Sequence, residues 1–284
     1  MNVLKTGILL TALTLLLVWI GQLLGGPQGA MMAFVFALVM NFVSYWFSDK
    51  IVLASYRAQP LAESEAPQVY RVVREIAART HIPMPKIYLV TTPTPNAFAT
   101  GRSPQHAAVA VTSGLLEILS EEELKGVIAH ELSHVRNRDT LTMTVAAALA
   151  GAITMLANWL RWGMMFGGGR DRDDREGGGA MGAIAMIAII ILAPLAAMLV
   201  QLAVSRTREY EADESGARMA GTPQGLAGAL EKIEASVRAL PMQANPATAH
   251  LFIVNPLRGD MIAQLFSTHP PTAERVRRLR HMHL

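Results

Sequence analysis

The chain has 284 residues, enough for a full soluble core or for a membrane part joined to one soluble domain. Hydrophobic residues make up 51% and charged residues only 17%, too apolar a balance for an ordinary cytosolic protein of this size. The absence of cysteine excludes disulfides, thiolate metal sites and cysteine nucleophiles, and a net charge of +3 without a basic, aromatic surface pattern makes no case for nucleic acid.

Two apolar runs open the chain, at residues 7–24 and 30–47, each long enough to cross a bilayer core. The uncharged link Gly25-Gly26-Pro27-Gln28-Gly29 between them reads as a turn, so residues 1–48 are expected to form a transmembrane hairpin. A cleaved signal peptide fits less well: no small-residue cleavage site follows the first run, and the second begins at once. Lys5 before the hairpin and Lys50 and Arg57 after it place both ends in the cytoplasm by the positive-inside rule.

The next stretch, 49–142, is soluble in character and is expected to form the first part of a folded domain. Residues 67–80 show helical periodicity with a proline at the start. Short strands are expected at 86–90, 96–100 and 107–112, separated by Pro and Gly turns. Ser120-Glu121-Glu122-Glu123 then caps a helix carrying His130-Glu131-Leu132-Ser133-His134. Residues four apart lie on one helical face, so both imidazoles can reach one metal ion. Glu131 between them falls among apolar positions on the helical wheel, where a carboxylate needs a partner; a metal ion with a water molecule supplies one. Two ordinary surface histidines would be the plainer explanation of the pair.

Residues 143–204 hold two further apolar runs, 145–166 and 180–204, around a polar, glycine-rich loop at 167–179. The second run is 25 residues without a charge, which favours a second transmembrane pair over a buried hairpin of the soluble domain. Arg161, Arg170, Arg172 and Arg175 lie on the side that should be outside and weigh against it. The remainder, 205–284, completes the folded domain. Helices are expected at 212–220, at 222–240 and after Pro270-Pro271, with an irregular stretch at 245–259. The final helix, carrying Arg275, Arg277, Arg278 and Arg280, reads as a solvated basic surface facing anionic headgroups.

A catalytic zinc takes three protein ligands and keeps one position open. The best downstream third ligand is Glu209, in Ser205-Arg206-Thr207-Arg208-Glu209-Tyr210-Glu211-Ala212-Asp213, although in isolation a surface ion pair with a nearby arginine explains it as well. Asp213, one turn later, can accept a hydrogen bond from the far nitrogen of a ligating histidine, while Glu211 points elsewhere.

These motifs together resemble the HtpX family of membrane-bound zinc proteases and, more distantly, the prenyl-protein (CAAX) endopeptidases. The resemblance runs from the N-terminal hairpin through Asn96-Ala97-Phe98-Ala99-Thr100-Gly101 to Ser267-Thr268-His269-Pro270-Pro271-Thr272. It implies a mainly α fold with a small β meander, a zincin-like metallopeptidase domain on about four transmembrane helices. It also implies one Zn²⁺ held by His130, His134 and Glu209, with Asp213 beside them and Glu131 as general base. His269 is an oxyanion donor by the same resemblance, with helix entry before Pro-Pro as the blander alternative. Asn96 is a weaker donor, and Asn96, Ala97, Phe98 and Ala99 form the strand that aligns substrate. The implied task is hydrolysis of damaged or misfolded membrane proteins at the cytoplasmic face of a bacterial inner membrane.

Two other classes compete. A divalent-metal transporter can carry a similar string inside a transmembrane helix, but Glu121, Glu122, Glu123, Lys125, Arg136, Arg138 and Asp139 make this helix too polar to span lipid. A catalytically inactive relative acting as a binding scaffold is disfavoured by the intact Glu131, which merely holding a metal does not require.

Overall fold

Apolar side chains surround α1 (Asn2–Ser55) on all sides, as a helix bathed in lipid requires. The computed structural model describes residues 2–147, 149–150, 153, 206–239, 251–254 and 270–284. Within it α1 breaks at Gly25 and Gly26, the latter at φ +60°, a conformation costly to residues with a Cβ. The break folds α1 back on itself. Asn41 Nδ2 donates to Thr14 Oγ1 at 2.8 Å, an inter-arm hydrogen bond of the kind that holds helices together in an apolar medium. The second arm, Gly25–Ser55, is long and apolar enough to cross a membrane, and it leaves Met31, Met32, Phe36 and Phe42 exposed. The first arm is apolar over the shorter stretch Thr6–Trp19.

The sheet contains β1 (Gln59–Pro60), β2 (Lys86–Val90), β3 (Ala97–Thr100) and β4 (Ala108–Thr112), in the order β1-β2-β4-β3. β2 and β4 are parallel, whereas β1 and β3 pair antiparallel with their neighbours. The expected meander is therefore wrong: the sheet is mixed, and β4 inserts between β2 and β3. The sequence of β4 explains this, because Ala108-Val109-Ala110-Val111 is apolar on both faces and all of it is buried, as a central strand must be. Two-residue β1, which contains a proline, carries no strand signal of its own and lies at the edge where proline is tolerated.

Around the sheet stand α2 (Pro67–Thr80), α3 (Ser113–Ile118) and α4 (Glu121–Arg136), followed by helical residues 139–147. The chain re-enters with α5 (Arg206–Ala220), α6 (Gln224–Ala239) and α7 (Thr272–Arg280). α4 is the centre of the domain: every residue from Gly126 to Val135 is buried, against α2, α5, α6 and β3. Its start is fixed by a complete capping box, with Ser120 N–H donating to Glu123 Oε2 at 2.8 Å and Glu123 N–H to Ser120 Oγ.

α5 begins six residues before the expected 212. Residues 206–211 are polar and lack apolar periodicity, yet they are helical and carry Glu209 inward. α5 approaches α4 at Gly216, where a Cβ would lie 2.8 Å from the backbone of His130. A larger residue there would push the two helices apart. The boundary expected at 143 falls inside the described helical residues 139–147, whereas that at 205, most of the second apolar pair and the loop 167–179 lie outside the described residues.

Candidate metal centre

α4 and α5 cross so that three donors meet in a dry interior. His130 Nε2 lies 3.8 Å from Glu209 Oε2, and His134 Nε2 lies 3.6 Å from Glu209 Oε1. One ligand atom from each residue can be chosen so that all lie within 4.8 Å of one another, and all three residues are buried. These separations exceed a hydrogen bond. They approach the roughly 3.3–3.4 Å expected between donors of a tetrahedral site with bonds of about 2.05 Å. The all-nitrogen-and-oxygen set, with one anion and two imidazoles, fits zinc in chemistry and in spacing.

Each imidazole is backed by a carboxylate. Asp213 Oδ1 lies 3.0 Å from His130 Nδ1, although the contact is poorly aligned for a ring N–H donor. Asp139 Oδ2 lies 3.4 Å from His134 Nδ1. Such partners fix which ring nitrogen faces the metal. Burial alone would lower the pKa of His134, but Asp139, Glu209 and Glu131 overcome it and push the imidazole up to about 9 without a metal. Asp213 is itself clamped by Arg275, which donates from Nε to Oδ2 at 2.8 Å and from Nη2 to Oδ1 at 2.7 Å. Burial opposes ionisation of Asp213, but the Arg275 charge holds its carboxyl below the usual carboxylate range.

Glu131 faces the space between β3 and the three donors. Its Oε2 accepts a hydrogen bond from Ala99 N–H at 2.9 Å. Burial raises its pKa, against the lowering influence of His130, His134 and that N–H. A carboxylate so placed is within reach of a water held beside the three donors and can exchange a proton with it.

β3 is the free edge of the sheet, facing α4, but its four residues are buried. Leu251, Phe252 and Ile253 line the cavity together with Phe98, Ala99 and the catalytic side chains. The space left is about 10 Å³, room for a single water. Asn96, whose side chain would be a weak oxyanion donor, instead has its Oδ1 accepting from Ile253 N–H at 3.0 Å. His269 lies outside the described residues.

Known proteins fall in line with this geometry. The model of peptidase family M48 matches residues 63–283. The chain belongs to peptidase family M48. Curated relatives described as "Protease HtpX homolog" include those of Syntrophobacter fumaroxidans, 57% identical over 98% of both chains, and Thermococcus sibiricus, 60% identical over 98% of this chain and 94% of the relative. The crystal structure of S. mikatae Ste24p shares the fold, with a TM-score of 0.52 at 18% identity. That match covers 97% of this chain, which spans only 63% of the Ste24p chain. The M48 peptidase is a zinc metalloendopeptidase, and His130, His134 and Glu209 are the group among the described residues able to hold its metal.

Three features of this M48 peptidase escaped the sequence reading. Asp139 sits just beyond α4, after Arg138 at φ +59°, and only the turn brings it back to His134. Arg275 belongs to a helix expected to be solvated throughout, yet it is 1% exposed. Its spacing held a signal: Arg275, Val276 and Leu279 share one face at i, i+1 and i+4, and all three are buried. Arg277, Arg278 and Arg280 are indeed exposed, and they pair with Glu274 and Glu231. Residues 251–254 gave no sign that they close the cavity.

Proposed function

We propose that this M48 peptidase is an integral-membrane endopeptidase that cuts damaged or misfolded membrane proteins beside the bilayer. The observation carrying the site assignment is the convergence of His130, His134 and Glu209, with Glu131 aimed into the same space. When bound to those three residues, Zn²⁺ supplies Lewis acidity that lowers the pKa of water and polarises a carbonyl.

The other steps belong to the chain. Glu131 takes the proton from the attacking water and returns it to the leaving amine, a role served by its place beside the three donors and by the Ala99 hydrogen bond that holds one of its oxygens. Asp213 and Asp139 orient the two imidazoles. Substrate adds as an extended strand along Ala97, Phe98 and Ala99, the outer edge of β3, using backbone groups that repeat every second residue. Asn96 and His269 are the donors proposed for the oxyanion.

For the whole chain we propose a transmembrane hairpin at 1–48, a catalytic domain assembled from 49–142 and 205–284, and a second transmembrane pair within 143–204. That makes four spans, with the active site facing the cytoplasm of a bacterial inner membrane. The apolar second arm of α1 and the basic residues at the hairpin's ends support this placement.

Metal content and proteolysis of a casein-like or membrane substrate, measured together, test the assignment. Glu131→Gln should retain zinc and lose cleavage, whereas Glu209→Gln should lose both. Wild-type metal content in Glu209→Gln would overturn the third ligand, and wild-type cleavage by Glu131→Gln would overturn the base.

A further inference from the structure

A second cavity, of about 580 Å³, lies on the opposite side of the sheet, where α1 leaves its apolar stretch. Trp46, Phe47 and Lys50 come from the end of α1, whereas Lys86 comes from the start of β2 and Arg102 from the connection after β3. The Arg102 guanidinium sits 4.7 Å from the centre of the Trp46 ring, and Lys50 Nζ is 5.3 Å from that of Phe47. Asp49 contributes the one carboxylate of the lining, so three permanent cations face one anion. No ion pair among the described residues involves Lys50, Lys86 or Arg102.

The depth of this cavity can be worked out from helix geometry. At 1.5 Å per residue, a hydrocarbon core of about 30 Å takes about 20 residues. Counted from Gly25, where the apolar arm starts, the core ends at about residue 45. Tyr45, Trp46 and Phe47 thus fall at headgroup level, where aromatic rings collect, and Lys50 falls just outside. Lys86 and Arg102, distant in sequence, are brought to the same level by the sheet.

We propose that this cavity binds the phosphate headgroup of an anionic phospholipid. Lys50, Lys86 and Arg102 receive the phosphate, and the acyl chains run along the exposed Phe42 and Trp46 face of α1. The lipid then holds the start of β2 and the connection that follows β3 against the membrane surface. This rests on reading Gly25–Ser55 as a membrane span.

The test uses the full-length, zinc-loaded protein in detergent, titrated with dihexanoyl phosphatidylglycerol, dihexanoyl phosphatidylcholine or inorganic phosphate by calorimetry. A basic residue at a membrane surface strengthens binding of anionic lipid roughly fivefold. Phosphatidylglycerol should therefore bind at least about tenfold more tightly than phosphatidylcholine. The double variant Lys86→Gln/Arg102→Gln should lose about 25-fold, while Lys86→Arg/Arg102→Lys retains the affinity. Equal binding of the two lipids by the wild type overturns the proposal, whatever the variants' folding. So does undiminished binding by the folded Gln variant, or inorganic phosphate binding as tightly as the lipid, which would mark a free-anion site. Alkaline carbonate extraction separates this from the underlying reading: release of the protein from membranes removes the span itself, whereas retention without headgroup preference removes only the lipid site.

Discussion

The two sides of the catalytic space are built to different standards. On the metal side, both imidazoles are backed by carboxylates: His130 by Asp213, which Arg275 clamps while itself donating to Ile253 O at 2.7 Å, and His134 by Asp139. On the substrate side the same cavity is shut. The edge strand is buried, its Ala99 N–H is engaged by Glu131, and Leu251, Phe252 and Ile253 line the little space that remains. Held donors and a covered edge serve different ends, since metal chemistry needs fixed geometry whereas a peptide must reach the edge strand.

The largest expected effect tests the rigid side directly. Replacing Glu131 by Gln should reduce cleavage about 10²–10⁴-fold, the usual contribution of a general base, with zinc content unchanged when measured on the same sample. Next in size, Arg275→Met strands the ionised Asp213 in a buried setting. It should cost about 3–5 kcal/mol of stability, read as a fall in the denaturation midpoint, whereas simultaneous Asp213→Leu should recover much of the loss. Recovery of stability without recovery of zinc would separate the clamp's packing role from its effect on His130.

The substrate side yields a smaller effect. Asn96→Ala removes the acceptor for Ile253 N–H together with a proposed oxyanion donor, so hydrogen exchange at 251–254 should quicken and cleavage of a short, flexible peptide should fall several-fold. Undiminished cleavage by this variant would remove Asn96 from the oxyanion site.

A further effect is one of pH. His134 of the metal-free protein titrates at about 9, so at neutral pH it holds a proton that must leave before zinc binds. Apparent zinc affinity should climb about tenfold per pH unit up to about 9 and level off above it; a chelator competition series reads the slope. The same elevation stabilises the metal-free fold at pH values below the ordinary 6.5 and is lost as pH rises through 9.

Much of the metal side could be read from the chain alone, because its logic is local. His130, Glu131 and His134 announce themselves by spacing on one helix, and Glu209 with Asp213 repeats that spacing on another. The capping box at Ser120 was legible for the same reason. Contacts made by tertiary closure were not. Arg275 looked like one of several surface arginines because nothing near it in sequence names Asp213 as its partner. Asp139 needed a left-handed turn, and the order of the sheet depended on β4 being apolar on both faces, a pattern the sequence contains but that pairing alone resolves. The cover at 251–254 was the least visible, being a short apolar piece without periodicity.

The order in which the donors occur has a bearing on biosynthesis. Both histidines lie ahead of the second long apolar stretch, and the carboxylate that completes their set lies behind it. A ribosome making this chain must therefore translate that stretch before the nascent enzyme can hold its metal with all three donors. Hydrolytic competence is thereby postponed until that apolar stretch has been synthesised, a delay written into nothing more than the sequence order.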